Sequence, residues 1–138
     1  MLERSIIERA AEVLTPAQIG ELREHLQTEA SAVKRRDVNG RTHLLADFHV
    51  VIANMLGNSV LTGMLADLVS RCSLITLMYQ TGHSAEHSFE EHIAIVDALE
   101  KRNPRRAIKL MVSHLQNVER NLQLNPRVRD LKSALLHE

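Results

Sequence analysis

A chain of 138 residues in which 44% of side chains are apolar and 25% are charged has the make-up of one folded domain, which excludes a disordered tail or linker. Aromatics amount to 2% with no Trp, so the core must be aliphatic. Seventeen basic side chains balance seventeen acidic ones, which excludes the basic excess that holds duplex DNA. The absence of a signal peptide or a membrane-spanning apolar run points to a cytoplasmic protein.

Apolar spacing is helical throughout, and no stretch alternates with strand period. The first helix runs from Met1 to about Leu14. Thr15-Pro16-Ala17-Gln18 opens the second: Thr15 caps, Pro16 suits the first helical position, and Gln18 closes a capping box. That helix reaches about Arg36, and Asp37-Val38-Asn39-Gly40 reads as a turn. The third helix covers about Arg41 to Leu56 and stops at Gly57, a left-handed terminator. Asn58 caps the fourth, which continues to about Gln80. Thr81-Gly82-His83-Ser84 breaks the chain, and a fifth helix follows to about Arg102. Asn103-Pro104 opens the sixth, to about Leu124, and Asn125-Pro126 opens a short seventh. The expected fold is all-α, an antiparallel bundle of six to seven helices in one domain over residues 1–138.

The fourth helix is apolar over more than one face, through Val60, Leu61, Met64, Leu65, Leu68, Val69, Cys72, Leu74, Ile75, Leu77 and Met78. Such a helix is buried on several sides, by the bundle or by a second subunit. Cys72, the lone cysteine, reads as a small buried hydrophobe and excludes an intrachain disulfide.

Three of the eight histidines sit on apolar stripes. His49 is flanked one turn away by Leu45 and Ile52, His92 by Phe89 and Val96, and His114 by Leu110, Met111 and Val118. Imidazoles facing a core are costly unless their ring nitrogens are satisfied, and one bound divalent metal satisfies three at once. The competing reading is three separately hydrogen-bonded core histidines. His25 and His137 read as solvated. His83 and His87, at i and i+4, can chelate a metal but read first as a mobile helix entry, and His43 shares no face cleanly with His49.

These residues carry a resemblance. Phe48-His49-Val50-Val51-Ile52-Ala53-Asn54-Met55-Leu56-Gly57-Asn58 resembles the F-H-x-x-(I/L)-A-x-x-x-G-N signature of the FCD domain, the effector-binding half of one large subfamily of GntR transcription regulators. Glu91-His92-x-x-Ile95-Val96-x-Ala98-Leu99 and Ala107-x-x-x-Met111-x-x-His114-Leu115 resemble two further elements of that family, and Leu2-Glu3 with Arg9-Ala10-Ala11 resembles its opening helix. The resemblance implies a helical bundle whose cavity holds a divalent metal, zinc first and nickel second, on His49, His92 and His114. It also implies a small carboxylate metabolite as effector, and a homodimer. Family members commonly add an aspartate four residues before the first histidine; here that position is Leu45, and Asp47 lies about 200° around the helix from His49. The usual Gly-Asp before the sixth helix is replaced by Arg102-Asn103, which keeps the cap chemistry.

Arg71 is the expected effector-carboxylate contact, against the competing reading of an arginine paired with Asp67 or snorkelling to the surface; Asn58 is a second candidate contact that doubles as a cap. The winged helix-turn-helix reader of such regulators is expected outside these residues, so DNA is reached only through it. Two rivals stand beside this reading. A three-histidine metalloenzyme needs a general base, and Glu91 projects about 100° away from His92. A metal-free dimerisation module needs no base at all.

Overall fold

The computed structural model describes residues 2–79 and 81–124, with side chains placed for 3–70 and 81–120. Among these residues six helices follow one another: α1 (Leu2–Val13), α2 (Pro16–Lys34), α3 (Val38–Met55), α4 (Ser59–Tyr79), α5 (Gly82–Glu100) and α6 (Pro104–Leu124). No strand occurs among the described residues. The seventh helix expected after Asn125 lies outside them.

Local chemistry explains each boundary. Thr15 forms the full capping box: Gln18 N donates to its Oγ1 at 3.2 Å, and its own N donates to Gln18 Oε1 at 2.9 Å. Asp37 Oδ1 accepts from Gly40 N at 3.1 Å, so the stretch expected as a turn is instead the first turn of α3. Thr81 does the same for α5, accepting from Ser84 N at 3.1 Å, and the expected break at Gly82–Ser84 is helical. Asn103 Oδ1 accepts from Arg106 N at 3.1 Å and caps α6. At the far ends, Gly57 takes φ +79 after α3, while Arg36 (φ 58) and Arg102 (φ 54) take the same left-handed conformation without being glycine.

Short connections fold α3 back on α2, α4 on α3 and α6 on α5, whereas α1 packs on α6, α3 and α5 and, among the described residues, not on α2. α2 packs against α3 and α5, α5 against α6, and α6 against α1, while α4 lies along α3 and touches α6. The core joins Ile6, Ile7, Leu14, Leu22, Phe48, Ile52, Ile95, Leu99 and Met111, all at most 2% exposed. Of the two readings of α4, enclosure by the single-chain bundle does not hold over its described side chains, where Val60, Met64 and Leu68 are 71%, 57% and 51% exposed.

Candidate metal centre

The three stripe histidines arrive from three helices: His49 from α3, His92 from α5 and His114 from α6. All three are buried, at 9%, 1% and 2% exposure. Each offers one ring nitrogen to a cluster in which the three atoms lie within 4.8 Å of one another. Phe48 floors the site by stacking on His92 at 3.9 Å and 9°, and the His49 and His114 rings stack at 5.3 Å. Leu45, at the position where an aspartate ligand is usual, is a buried core side chain and offers no donor atom.

Carboxylates stand behind these rings. His92 Nδ1 lies 2.7 Å from Glu29 Oε1, a carboxyl with no exposed surface, and Glu29 Oε2 lies 2.7 Å from His25 Nδ1. His114 Nδ1 lies 3.0 Å from Glu91 Oε1, whose other oxygen accepts from the Asn117 amide. His49 Nδ1 lies 3.5 Å from Glu3 Oε1, in no hydrogen-bond geometry, and is a buried nitrogen without a partner.

Once both carboxyls are ionised, this pattern decides where the ring protons sit. A neutral imidazole carries one N–H, and a carboxylate facing Nδ1 draws it there. The Nε2 atoms of His92 and His114, 3.2 Å apart, then present two lone pairs to each other. Such an arrangement calls for a cation, either a proton or a metal, between them. With one ring nitrogen of His49 alongside, the donor set fits a divalent metal of the borderline class.

Electrostatics point the same way. Burial pushes the His92 pKa well below the usual imidazole value, and the neighbouring His114 and His49 push it further. Burial also lowers His114, partly offset by Glu91. Both rings are therefore held neutral, the form that ligates. Burial raises Glu29 from the ordinary 4.5 to about 7, against the opposing pull of His25, and the hydrogen bond to Glu29 raises His25. For Glu91 burial works upward, but hydrogen bonds from His114 and Asn117 outweigh it and the net shift is down.

Sequence reasoning missed both strong carboxylate partners. Glu29 continues the buried face of α2 after Ile19, Leu22 and Leu26, so its signal was an acid on an apolar stripe. Glu91 indeed diverges from His92, but it reaches across to His114 on α6, which spacing along α5 cannot show. His25 is not a solvated-face residue: its side chain is 12% exposed and ties Glu29 to Asp47, whose Oδ2 lies 3.5 Å away. Asp47 thus turns from the cluster toward α2. His43 is exposed. Asn58 is exposed and caps α4, with Leu61 N donating to its Oδ1 at 3.0 Å. The side chains of Arg71 and Cys72, and His137, lie outside the described residues.

Known proteins place the chain in context. It is similar to the HTH-type transcriptional repressor NanR of Citrobacter rodentium, 30% identical over 119 residues that cover 84% of this chain and 45% of that protein. NanR of Escherichia coli K12 matches at the same identity, with 44% of its length covered. The chain therefore spans less than half the length of these relatives. Among solved structures, E. coli McbR/YncC superposes with a TM-score of 0.76 at 22% identity, covering 88% of this chain and 63% of that one, a likeness of fold. The profile of the FCD domain matches residues 1–117, and with so much of its length matched the chain belongs to the FCD domain family.

Proposed function

We propose that this domain is the effector-sensing and dimerising part of a cytoplasmic GntR-family transcription regulator, in which His49, His92 and His114 hold a divalent metal and a small carboxylate metabolite binds beside it. The observation that carries the reading is the convergence of three buried imidazoles, two of them braced at Nδ1 by Glu29 and Glu91. Zinc is the first candidate and nickel the second, since both accept neutral imidazole. When bound, the ion supplies open coordination positions that an anionic oxygen can take.

The chain's own residues do the rest. Glu29 and Glu91 orient two rings and increase their basicity. Phe48 keeps one side of the site dry. Arg71 on α4 is the proposed fork for the effector carboxylate; Asn58 spends its side-chain oxygen on the cap and is the weaker candidate. Because α3, α5 and α6 all contribute, an effector that draws these helices together biases the packing of the whole bundle, and couplings of about 1–3 kcal/mol are typical of such devices. DNA is contacted by a separate winged-helix domain that reads the operator. No catalytic role is proposed: the well-placed carboxylates Glu29 and Glu91 are engaged by histidine Nδ1 atoms.

Elemental analysis of tag-free protein, coupled to thermal-shift screening of mono- and dicarboxylates, tests the reading. The expected result is one equivalent of metal and a melting temperature raised by metal and raised again by one carboxylate. Loss in His114→Ala of the rise produced by one equivalent of metal supports the assignment; an undiminished rise in this variant, or tag-free protein that neither contains nor takes up metal, overturns it.

A further inference from the structure

A second group of metal-binding side chains lies on the outside of α5. His83, Glu86, His87 and Glu90 recur at i, i+3, i+4 and i+7, which places them on one helix face, and all four are exposed. The Nε2 atoms of His83 and His87 are 3.1 Å apart, with the rings edge to face at 4.4 Å. Two imidazoles sharing a tetrahedral zinc at about 2.0–2.1 Å hold their nitrogens roughly 3.3 Å apart, so an ion can replace the hydrogen bond between the two rings with little change in their separation, while a carboxylate has to swing in. Glu90 Oε2 lies 4.0 Å from His87 Nδ1, beyond hydrogen-bond reach, so its carboxylate stands beside the pair without being tied to it.

We propose that His83 and His87 form a second, surface site for a borderline divalent cation such as Zn²⁺, completed by Glu86 or Glu90 and water. His83, Glu86 and Glu90 border an open groove whose other wall includes Lys34 and Arg41, so an ion can enter directly from solvent. Glu86 and Glu90 offset part of the opposing field of Lys34, Arg36, Arg41 and the positive end of α5. Two protein nitrogens on an exposed turn give weaker binding than three buried ones. The site is therefore filled after the core cluster and stands independently of it, since it shares no ligand with His49, His92 or His114.

Calorimetric titration of tag-free, metal-stripped protein with Zn²⁺ tests this directly. Wild type is expected to take up two equivalents, a tight one and a weaker one. The double variant His83→Asn/His87→Asn loses the weaker event, keeps the tight one and melts at the wild-type temperature. Glu86→Gln/Glu90→Gln weakens the second event several-fold. If the core assignment alone fails, one weak equivalent remains and still disappears in the double histidine variant. A second event that survives in His83→Asn/His87→Asn, or a wild type without one, overturns the proposal.

Discussion

A histidine buried beside another histidine is stable only if the protons are arranged for it. In the core cluster that arrangement is set from behind, by Glu29 on His92 and Glu91 on His114. Glu91→Gln keeps the shape but weakens the pull on the His114 N–H, and outer-shell changes of this kind typically cost about 10–100-fold in metal affinity. Zn²⁺ competition titrations against a chelating dye should show that loss, with the metal-free melting temperature changed far less. Glu29 yields a prediction about pH. Its pKa rises from 4.5 in the unfolded chain to about 7 in the fold, so the folded state holds this proton more tightly. The stability tied to that proton is fully present below pH 4.5 and is lost as pH rises through about 7; the raised pKa of His25 acts in the same direction. Glu29→Gln lacks this dependence. Relative to wild type it should gain on the order of 3 kcal/mol between pH 5 and pH 8, read from urea melts in chelator.

At the scale of elements, the helices are held at their ends by side chains chosen for position. Thr15, Asp37, Asn58, Thr81 and Asn103 each accept a backbone N–H from the first turn that follows. The C-terminal ends are less well served. Arg36 and Arg102 take positive φ, where a Cβ costs about 1–2 kcal/mol. Arg102 recovers part of this by donating from Nη1 to the Glu12 carbonyl at 3.0 Å, which ties the α5–α6 turn to α1. Arg36→Gly should therefore raise stability by about 1 kcal/mol, visible as a higher midpoint in urea with an unchanged slope. A fall in the midpoint would mean that the arginine side chain contributes more than its backbone strain removes.

For the whole molecule, the exposed row of Val60, Met64 and Leu68 is the feature a single chain leaves unexplained. We attribute it to the partner face of the proposed homodimer, since apolar patches of this kind are generally covered. Met64→Glu/Leu68→Glu should shift the protein from dimer to monomer in sedimentation velocity while leaving its far-UV spectrum intact; a variant that remains dimeric places the interface elsewhere. The metal-dependent thermal shift should survive in the monomer, because His49, His92 and His114 all belong to one chain. Among the described residues no helix is long and apolar enough to cross a membrane.

Much of this was legible along the chain. Helical spacing, Pro16, Pro104 and Gly57 mark the elements because periodicity and capping are local, and His49, His92 and His114 declared themselves because an imidazole on an apolar stripe is anomalous wherever it occurs. The same local logic misread Asp37–Gly40 and Gly82–Ser84 as breaks, since a cap and a turn draw on the same residue types. What folding alone decided is which charges meet. Glu29 stands 63 residues from His92 and Glu91 stands 23 from His114, and both contacts exist only because α2 packs on α5 and α5 on α6. Periodicity tells which side of its own helix a side chain occupies, but the neighbour across the interface follows from how helices cross, and no single helix carries that information.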